Sequence, residues 1–566
     1  MKTHITFLLF IATGLFLFSC QTKPEIEGEL KKWHKVTLSF QGPELDETGE
    51  DNPFLNYRME VTFTNGDNTY KVPGFFAADG NAAESGASKG NVWKVHFTPD
   101  IEGIWTYQVS FRKDDRIAIN QDAVAGEPVA FDGATGEFVI GPTDKSGKDF
   151  RGKGKLNYVN QRYLQFAETK EYFLKGGADS PENFLAYKQF DGTDHIDNNE
   201  AREGEAAPTE NLHEYTPHIK DWNEGDPTWK GDYGKGIIGA LNYLASEGMN
   251  SVYFLTMNIG GDGKDVWPYV SHEDFTRFDC SKLDQWEIVF THMDSLGLML
   301  HFVLQETENE LLLDNGDTGL ERMVYYRELI ARFSHHLAIT WNLGEENGPA
   351  NFTPNGQTTE QQKAMARYMK KIDPYNNFVV IHTHANPKFR YEIFNSLLGY
   401  EYLDGPSIQI GNPLSAHEET KTWIQKSKEA GKPWIVNIDE IGPAWRGVDP
   451  DDRKPHNNQD SVRRYVLWAN LMAGGGGVEW YFGYKNHNND LNCENWRSRD
   501  MMWDYTKHAI NFFNIYLPFS EMEAADYLVT NANAYCFAKK GEIYAVYLPE
   551  GGTSQLDMTD ASGIYE

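Results

Sequence analysis

Eight short apolar runs recur through residues 158–517, most of them followed by a stretch with helical spacing, and this alternation restricts the fold more than any other feature. The runs are "YFLKGG" (172–177), "SVYFLTMN" (251–258), "LMLHFVLQE" (298–306), "LAITWNLGEEN" (337–347), "FVVIHTHA" (378–385), "SIQIGN" (407–412), "WIVNIDEIG" (434–442) and "GGVEWYFGY" (476–484). Each is too short for a buried helix and too continuously apolar for a strand with one wet face. Buried parallel strands read this way. Between them lie amphipathic stretches such as "ERMVYYRELIARFSHH" and "EQQKAMARYMKKID", and "MMWDYTKHAINFFN" follows the last run. The weakest helical unit is the one after run five, near "YEIFNSLLG". Eight strand–helix units predict an α/β fold, a (β/α)8 TIM barrel. A doubly wound open sheet is the alternative, but no G-x-G-x-x-G or P-loop accompanies it.

The flanks have a different rhythm. Residues 28–142 hold alternating segments ("KVTLSF", "RMEVTFT", "GIWTYQVSF", "GEFVIG") punctuated by "NGD", "ADG" and "PDIEG", the pattern of a β-sandwich. "SGKDFRGKGKLN" (146–157) reads as a linker. After 518 strand-like segments return, and residues 518–566 predict a short, incomplete C-terminal β-domain. The acidic, Asn-rich stretch 178–234 between run one and its helix is too long for a connector; on a barrel such an insertion belongs to the catalytic face.

The first twenty residues, "MKTHITFLLFIATGLFLFSC", have a basic start, an apolar stretch too short for a comfortable span, and a terminal Cys. They resemble a bacterial lipoprotein signal in which Cys20 becomes the lipid-modified first residue, so the expectation is an outer-membrane lipoprotein, held by a lipid anchor and facing the periplasm or the cell surface. The formal net charge of −31 argues against nucleic acid, whose phosphates would be repelled. Three further cysteines remain, Cys280, Cys493 and Cys536. They carry no zinc-type spacing. Free thiols are the expectation, with a Cys280–Cys493 bridge as the alternative. "HTH" (382–384) lacks a third ligand at recognisable spacing and "LLLDNGDTG" (311–319) lacks full calcium-loop spacing, so neither metal nor cofactor is expected.

In a barrel the C-terminal strand ends carry the chemistry. Here they deliver Asn258, then Gln305 and Glu306, then Glu345, Glu346 and Asn347. His382 and His384, Gln409 and Asn412, Asp439 and Glu440, and Glu479, Trp480 and Tyr481 follow. Strands four and seven face each other across such a barrel, so Glu346 and Glu440 can flank one glycosidic bond, one protonating the leaving oxygen and the other attacking. Asn258, Glu345, Asn347, His382, His384 and Gln409 are candidate sugar contacts, and Trp480 is either a stacking platform or a lid on the core. Asn437 and the strand-eight aromatics are the expected donors that keep Glu440 charged while Glu346 holds the proton.

"WNLGEEN" resembles the strand-four signature of clan A glycoside hydrolases, in which a Trp-x-Leu-x-Asn-Glu run ends in the acid/base. "PWIVNIDEIG" resembles their strand-seven signature, in which a Glu before an aliphatic residue and Gly is the nucleophile. The segment "GPELDETGEDNPFLNYRMEVTFTNGDNTYKVPGFFAADG" resembles a domain of unknown function in bacterial polysaccharide-utilisation lipoproteins. There it precedes an apiosidase-like or cellulase-like barrel and a collagen-binding-like β-domain. The resemblance implies a retaining hydrolase acting on a poly- or oligosaccharide, with Glu440 as nucleophile and Glu346 as acid/base. It departs at Glu345, where the clan has Asn, so Glu345 either takes the contact to the sugar 2-hydroxyl or is itself the acid/base. A catalytically inactive surface lipoprotein binding glycan or protein, and a polysaccharide lyase, are the rival readings.

Overall fold

The computed structural model describes residues 23–196, 212–453, 455–559 and 561–564. The proposed signal segment, with Cys20, and part of the insertion lie outside them. Eight parallel strands close into a barrel: Lys175–Ala178, Ser251–Leu255, Met299–Val303, Ile339–Asn342, Phe378–Thr383, Gly405–Ile410, Asn437–Ile441 and Gly477–Trp480. Each falls within or overlaps one of the eight apolar runs. Helices follow in every unit, among them Cys280–Leu296, Leu320–Phe333 and Thr359–Ile372. Their starts are written locally. The Asp279 carboxylate accepts from the Lys282 N–H, and Thr358 with Gln361 forms a reciprocal capping box. The weakest unit is also a helix, Pro387–Leu397, opened by an Asn386 cap and a proline. After strand seven the helix widens into π geometry over Arg463–Leu467 before continuing as Trp468–Met472.

Ahead of the barrel, two antiparallel sheets carry the strands of residues 25–140, with Val36–Asp46 beside Lys89–Phe97 in one and Tyr57–Asn65 beside Gly103–Lys113 in the other. Stacked rings fill the space between them, Phe63 on Phe97 at 4.1 Å and Phe111 on Phe131 at 4.4 Å. This unit rests on the outer helices of barrel units two and three. Arg332 binds Glu328 at 2.7 Å, Asp284 at 3.0 Å and the Phe76 carbonyl at 2.8 Å. At the other end a small antiparallel sheet (Glu523–Ala524, Tyr535–Lys539, Ile543–Tyr547) packs on the barrel helices, with Tyr547 stacked on Trp468 at 5.0 Å.

The expected linker is not a linker. Residues Phe150–Lys153 form a helical turn, and Leu156–Tyr158, Leu164–Phe166 and Tyr172–Phe173 form a three-stranded sheet. Its apolar face brings Phe150, Leu156, Phe166 and Phe173 against Met299, Leu337, Phe378 and Ile435, at the N-terminal ends of barrel strands, and so closes the barrel floor. The first half of run one, "YF", belongs to this floor. Gly and Lys density misled because the buried apolar residues lie between them.

Cys280, Cys493 and Cys536 are buried and free, so the Cys280–Cys493 alternative is not formed. The "DNGD" loop serves a helix start, with Asp314 accepting the Arg322 N–H at 2.9 Å. No helix among the described residues is long and apolar enough to cross a membrane.

Inside the barrel a polar layer replaces the usual aliphatic one. Lys175 on strand one donates to Asp439 on strand seven and to Glu479 on strand eight, the latter at 2.9 Å. Glu479 also accepts from Ser251 and pairs with His301 at 2.7 Å, and Asn342 contacts the other His301 ring nitrogen at 3.1 Å. All these side chains are buried. Lys175 and its hydrogen bonds hold the Glu479 carboxyl below the usual range, whereas burial leaves that of Asp439 raised. Removing one member of a buried charge network leaves its partners uncompensated. Lys175→Met is therefore expected to destabilise the fold by about 3–5 kcal/mol, read as a lowered midpoint in chemical denaturation. An unchanged midpoint would contradict this account.

Candidate active site

Above that layer, strands four to seven bring a second group together. In a regular strand successive side chains point to opposite faces, so two adjacent acids cannot share one cavity. Two departures from regularity overcome this here. On strand seven the register with strand six steps from Ile408–Ile438 to Gln409–Glu440, leaving Asp439 as the extra residue of a bulge. Asp439 thus reaches Lys175 below while Glu440 reaches Gln409 above. At the end of strand four Glu346 has a φ of +36°, in the left-handed region that a non-glycine residue enters only under constraint. The turn keeps both Glu345 and Glu346 at the barrel mouth.

Glu440 accepts from the Gln409 amide at 2.7 Å through Oε1, and its Oε2 has no hydrogen-bond partner. His382 Nε2 lies 3.5 Å from that Oε2. The other ring nitrogen of His382 faces the Tyr253 hydroxyl at 3.3 Å. One carboxylate oxygen of Glu345, one of Glu440 and a ring nitrogen of His382 lie within 4.8 Å of one another. The Gln409 amide also lies near enough to Glu346 to favour its charged form, and Glu346 is half-buried where Glu345 and Glu440 are buried. Beneath, the carboxyls of Glu306 and Glu182 abut that of Glu345.

Burial and mutual repulsion dominate the electrostatics. Desolvation, then hydrogen bonds that oppose it and the charges of Glu346 and Asp490, leave Glu345 at about 8. Desolvation raises Glu346 to about 7 against the relief given by Gln409. Desolvation followed by the charges of Glu346 and Glu345 raises Glu440 well above the carboxylate range. Burial keeps His382 neutral.

Not every residue expected at the site joins it. Asn258 is buried within its loop, donating to Asp265 at 2.9 Å and accepting the N–H groups of Asp265 and Val266. Asn347 bonds Gln357 and Gln362 at 2.7 and 2.9 Å and so fastens the strand-four loop. His384 meets the Gly348 carbonyl at 2.8 Å and lies beside Phe352 rather than against the glutamates. Trp480 is fully buried, its indole N–H donating to Thr506 on the last barrel helix at 2.8 Å, so it is core and not a stacking platform. The expected donors to Glu440 also differ: the Tyr481 hydroxyl donates to the Ala444 carbonyl, and the amide of Gln409 on strand six takes their place.

Sequence reading missed Asp179, which directly follows strand one. It is buried, and neither carboxylate oxygen has a hydrogen-bond partner. Burial first, then the charges of Glu440, Asp490 and Glu345, raise it well above its ordinary value. The strand-end rule applied to "KGGAD" reaches it. Asp490, from the loop after strand eight, is joined to the insertion by the Ser180 hydroxyl at 2.7 Å and the Glu182 N–H at 3.2 Å; neither acid is marked by any local motif.

Comparison with known proteins adds the following. Residues 29–112 match a family model described as a domain of unknown function (DUF5060). No curated protein matches the sequence. A solved structure of a candidate glycoside hydrolase from Bacteroides vulgatus shares 16% identity over 91% of this chain and 84% of that one, with a TM-score of 0.58. A family 5 glycoside hydrolase from the same organism shares 16% identity over 73% of this chain and 84% of that one, with a TM-score of 0.49. The first of these likenesses establishes a shared fold.

Trp480→Phe removes the hydrogen bond to Thr506 without opening a large void. It is expected to lower stability by about 1–2 kcal/mol in chemical denaturation. Unchanged stability would contradict the core position.

Proposed function

We propose that the chain is a retaining glycoside hydrolase that cleaves O-glycosidic bonds of a poly- or oligosaccharide, with Glu440 as nucleophile and Glu346 as acid/base, and that Cys20 anchors it by a lipid to a bacterial outer membrane, facing the periplasm or the cell surface. One observation carries the enzymatic reading. Carboxyl groups from opposed strands four and seven meet at the C-terminal mouth of a closed barrel, close enough to raise one another. Retention needs the two carboxyls about 5–5.5 Å apart, whereas inversion leaves room for a water at about 6.5–9.5 Å. The description of the Bacteroides vulgatus neighbour as a candidate glycoside hydrolase agrees with this reading.

The roles follow from exposure and hydrogen bonding. An acid/base must reach a leaving oxygen that departs towards solvent, and Glu346 is the half-open member of the three. Raised to about 7, it begins protonated. The nucleophile must lie under the ring and be ionised as it attacks. Glu440 is the member with a firm donor, Gln409, whose hydrogen bond strengthens as charge is held there. Glu345 stands where the clan has Asn and, buried beside Glu440, is the group to meet the sugar 2-hydroxyl.

Attack by Glu440 on the anomeric carbon displaces the aglycone oxygen, to which Glu346 gives its proton. Water, deprotonated by Glu346, then releases the sugar from the glycosyl ester and restores both groups. Glu440→Ala is expected to abolish turnover on every substrate. Glu346→Ala is expected to spare an activated aryl glycoside, whose leaving group needs no proton. Added azide would partly restore it, with a β-azide product from a β-glycoside. Full activity of both variants on aryl glycoside and natural glycan would remove the assignment.

The titrations give kcat/KM two limbs. Burial and mutual repulsion raise the carboxyls of both Glu346 and Glu440, so they titrate as a pair. The rate falls on the alkaline side as the singly protonated pair loses its proton, and on the acidic side as the pair takes up a second. Glu345 raises Glu440 by its charge, so Glu345→Gln should stabilise the Glu440 carboxylate and move the acidic limb to lower pH. A pH profile of the variant on an aryl glycoside measures the shift, and movement to higher pH would contradict the coupling.

The anchor has its own test. Cys20→Ser should release the protein from the membrane fraction, and retention after a high-salt wash would exclude a lipid tether.

A further inference from the structure

The Glu345 departure creates something that the proposed hydrolytic chemistry does not need. An Asn beside the nucleophile would offer an amide; Glu345 instead adds a second carboxylate to a barrel mouth that already holds Glu440 and an imidazole. Three donor groups, one each from strand five, strand seven and the end of strand four, lie within 4.8 Å of one another. All three side chains are buried, and each has an atom without a hydrogen-bond partner: Oε2 of Glu345, Oε2 of Glu440 and Nε2 of His382. The remaining atoms are occupied in ways that orient these three. Glu440 Oε1 is held by Gln409 at 2.7 Å, and His382 Nδ1 faces the Tyr253 hydroxyl at 3.3 Å. "HTH" at 382–384 lacked a further ligand only along the sequence. The fold supplies two from other strands, and His384, engaged with the Gly348 carbonyl, is not one of them.

We propose that Glu345, His382 and Glu440 form a site for a divalent transition-metal ion, zinc fitting best, which competes with the glycan for the barrel mouth. Zinc is bound by imidazole nitrogens and carboxylate oxygens in sites that keep a fourth position open, and the Tyr253 hydroxyl holds the other ring nitrogen of His382. Ligands at about 2.0–2.2 Å from a tetrahedral ion stand roughly 3.5 Å apart, so groups within 4.8 Å of one another need to draw in by about 1.3 Å at most. Hard cations such as calcium favour all-oxygen shells, which His382 disfavours. The competition half of the proposal rests on the hydrolase reading, because an ion on Glu440 removes the nucleophile. The binding half does not.

The experiment uses tag-free, chelator-treated full-length protein without glycan. Zinc chloride is titrated against it in the presence of a colorimetric zinc indicator, and thermal midpoints are recorded with and without zinc. The wild-type chain is expected to take up one equivalent that His382→Ala and Glu345→Gln each bind at least about 10-fold more weakly. Zinc should raise the wild-type midpoint more than that of either variant, since an ion that binds only the folded state stabilises it. His335→Ala, which alters the separate Glu287–His335–His336 group, should leave the uptake unchanged. No uptake below about 10 µM, or uptake equal in wild type and both site variants, would overturn the site. If the site binds, activity on an aryl glycoside should fall with added zinc and return with chelator. Binding without any glycan cleavage in chelator would refute the hydrolase reading and leave the metal site standing.

Discussion

A lysine with no access to water holds this barrel to its purpose. Lys175 joins Asp439 and Glu479, and through Glu479 the network reaches Ser251, His301 and Asn342 on three further strands. An aliphatic layer would fill the same space and would often be more stable, since desolvating charges costs more than their attraction returns unless every group is satisfied. The charged layer does what aliphatic packing cannot. It fixes the register of strands one, seven and eight through directed bonds, and it engages Asp439 below, so that Glu440 alone of the adjacent pair rises to the mouth. The position of the proposed nucleophile depends on this arrangement.

Local backbone irregularity is the second requirement. A strand's period of two permits one inward side chain for every two residues, yet both "EE" and "DE" place adjacent acids inside. The bulge between strands six and seven and the left-handed Glu346 each break the alternation once. Such departures persist where the surroundings over-determine them. Gln409 takes part in that determination, its amide donating to Glu440 from strand seven and lying beside Glu346 from strand four.

The barrel was legible because its signal is periodic and repeated eight times, and because strand ends identify the mouth without any knowledge of contacts. Glu345, Glu346, His382, Gln409 and Glu440 do meet there. What failed was whatever depended on where a side chain turns after the strand ends. Asn258 and Asn347 bond inside their own loops, and Trp480 faces Thr506 on an outer helix; each has the residue type of a sugar contact and the wrong direction. Residues 146–157 failed for another reason. Gly and Lys signal a flexible connector by composition, but Phe150 and Leu156 between them are enough to fasten the segment under the barrel. Asp490 carries no local mark, since its approach to Asp179 arises only when strands one and eight close the ring, whereas Asp179 directly follows strand one and the strand-end rule reaches it.

On the proposed hydrolase reading, the accumulation of acids at the mouth favours some substrates over others. Asp179, Glu182, Glu306, Glu345 and Glu440 are all buried, and like charge features among the causes that hold each of them above the carboxylate range. A uronate sugar would bring a further carboxylate among acids that already resist ionising beside one another. A polyuronate of the kind a lyase attacks would meet the same resistance, and the imidazole beside Glu440, His382, is held neutral by burial. Neutral sugars avoid the repulsion, and their hydroxyls donate hydrogen bonds to carboxylate oxygens that the protein leaves without donors. On the proposed hydrolase reading, the same oxygens would serve as acceptors for the hydroxyls of a neutral ring seated over Glu440.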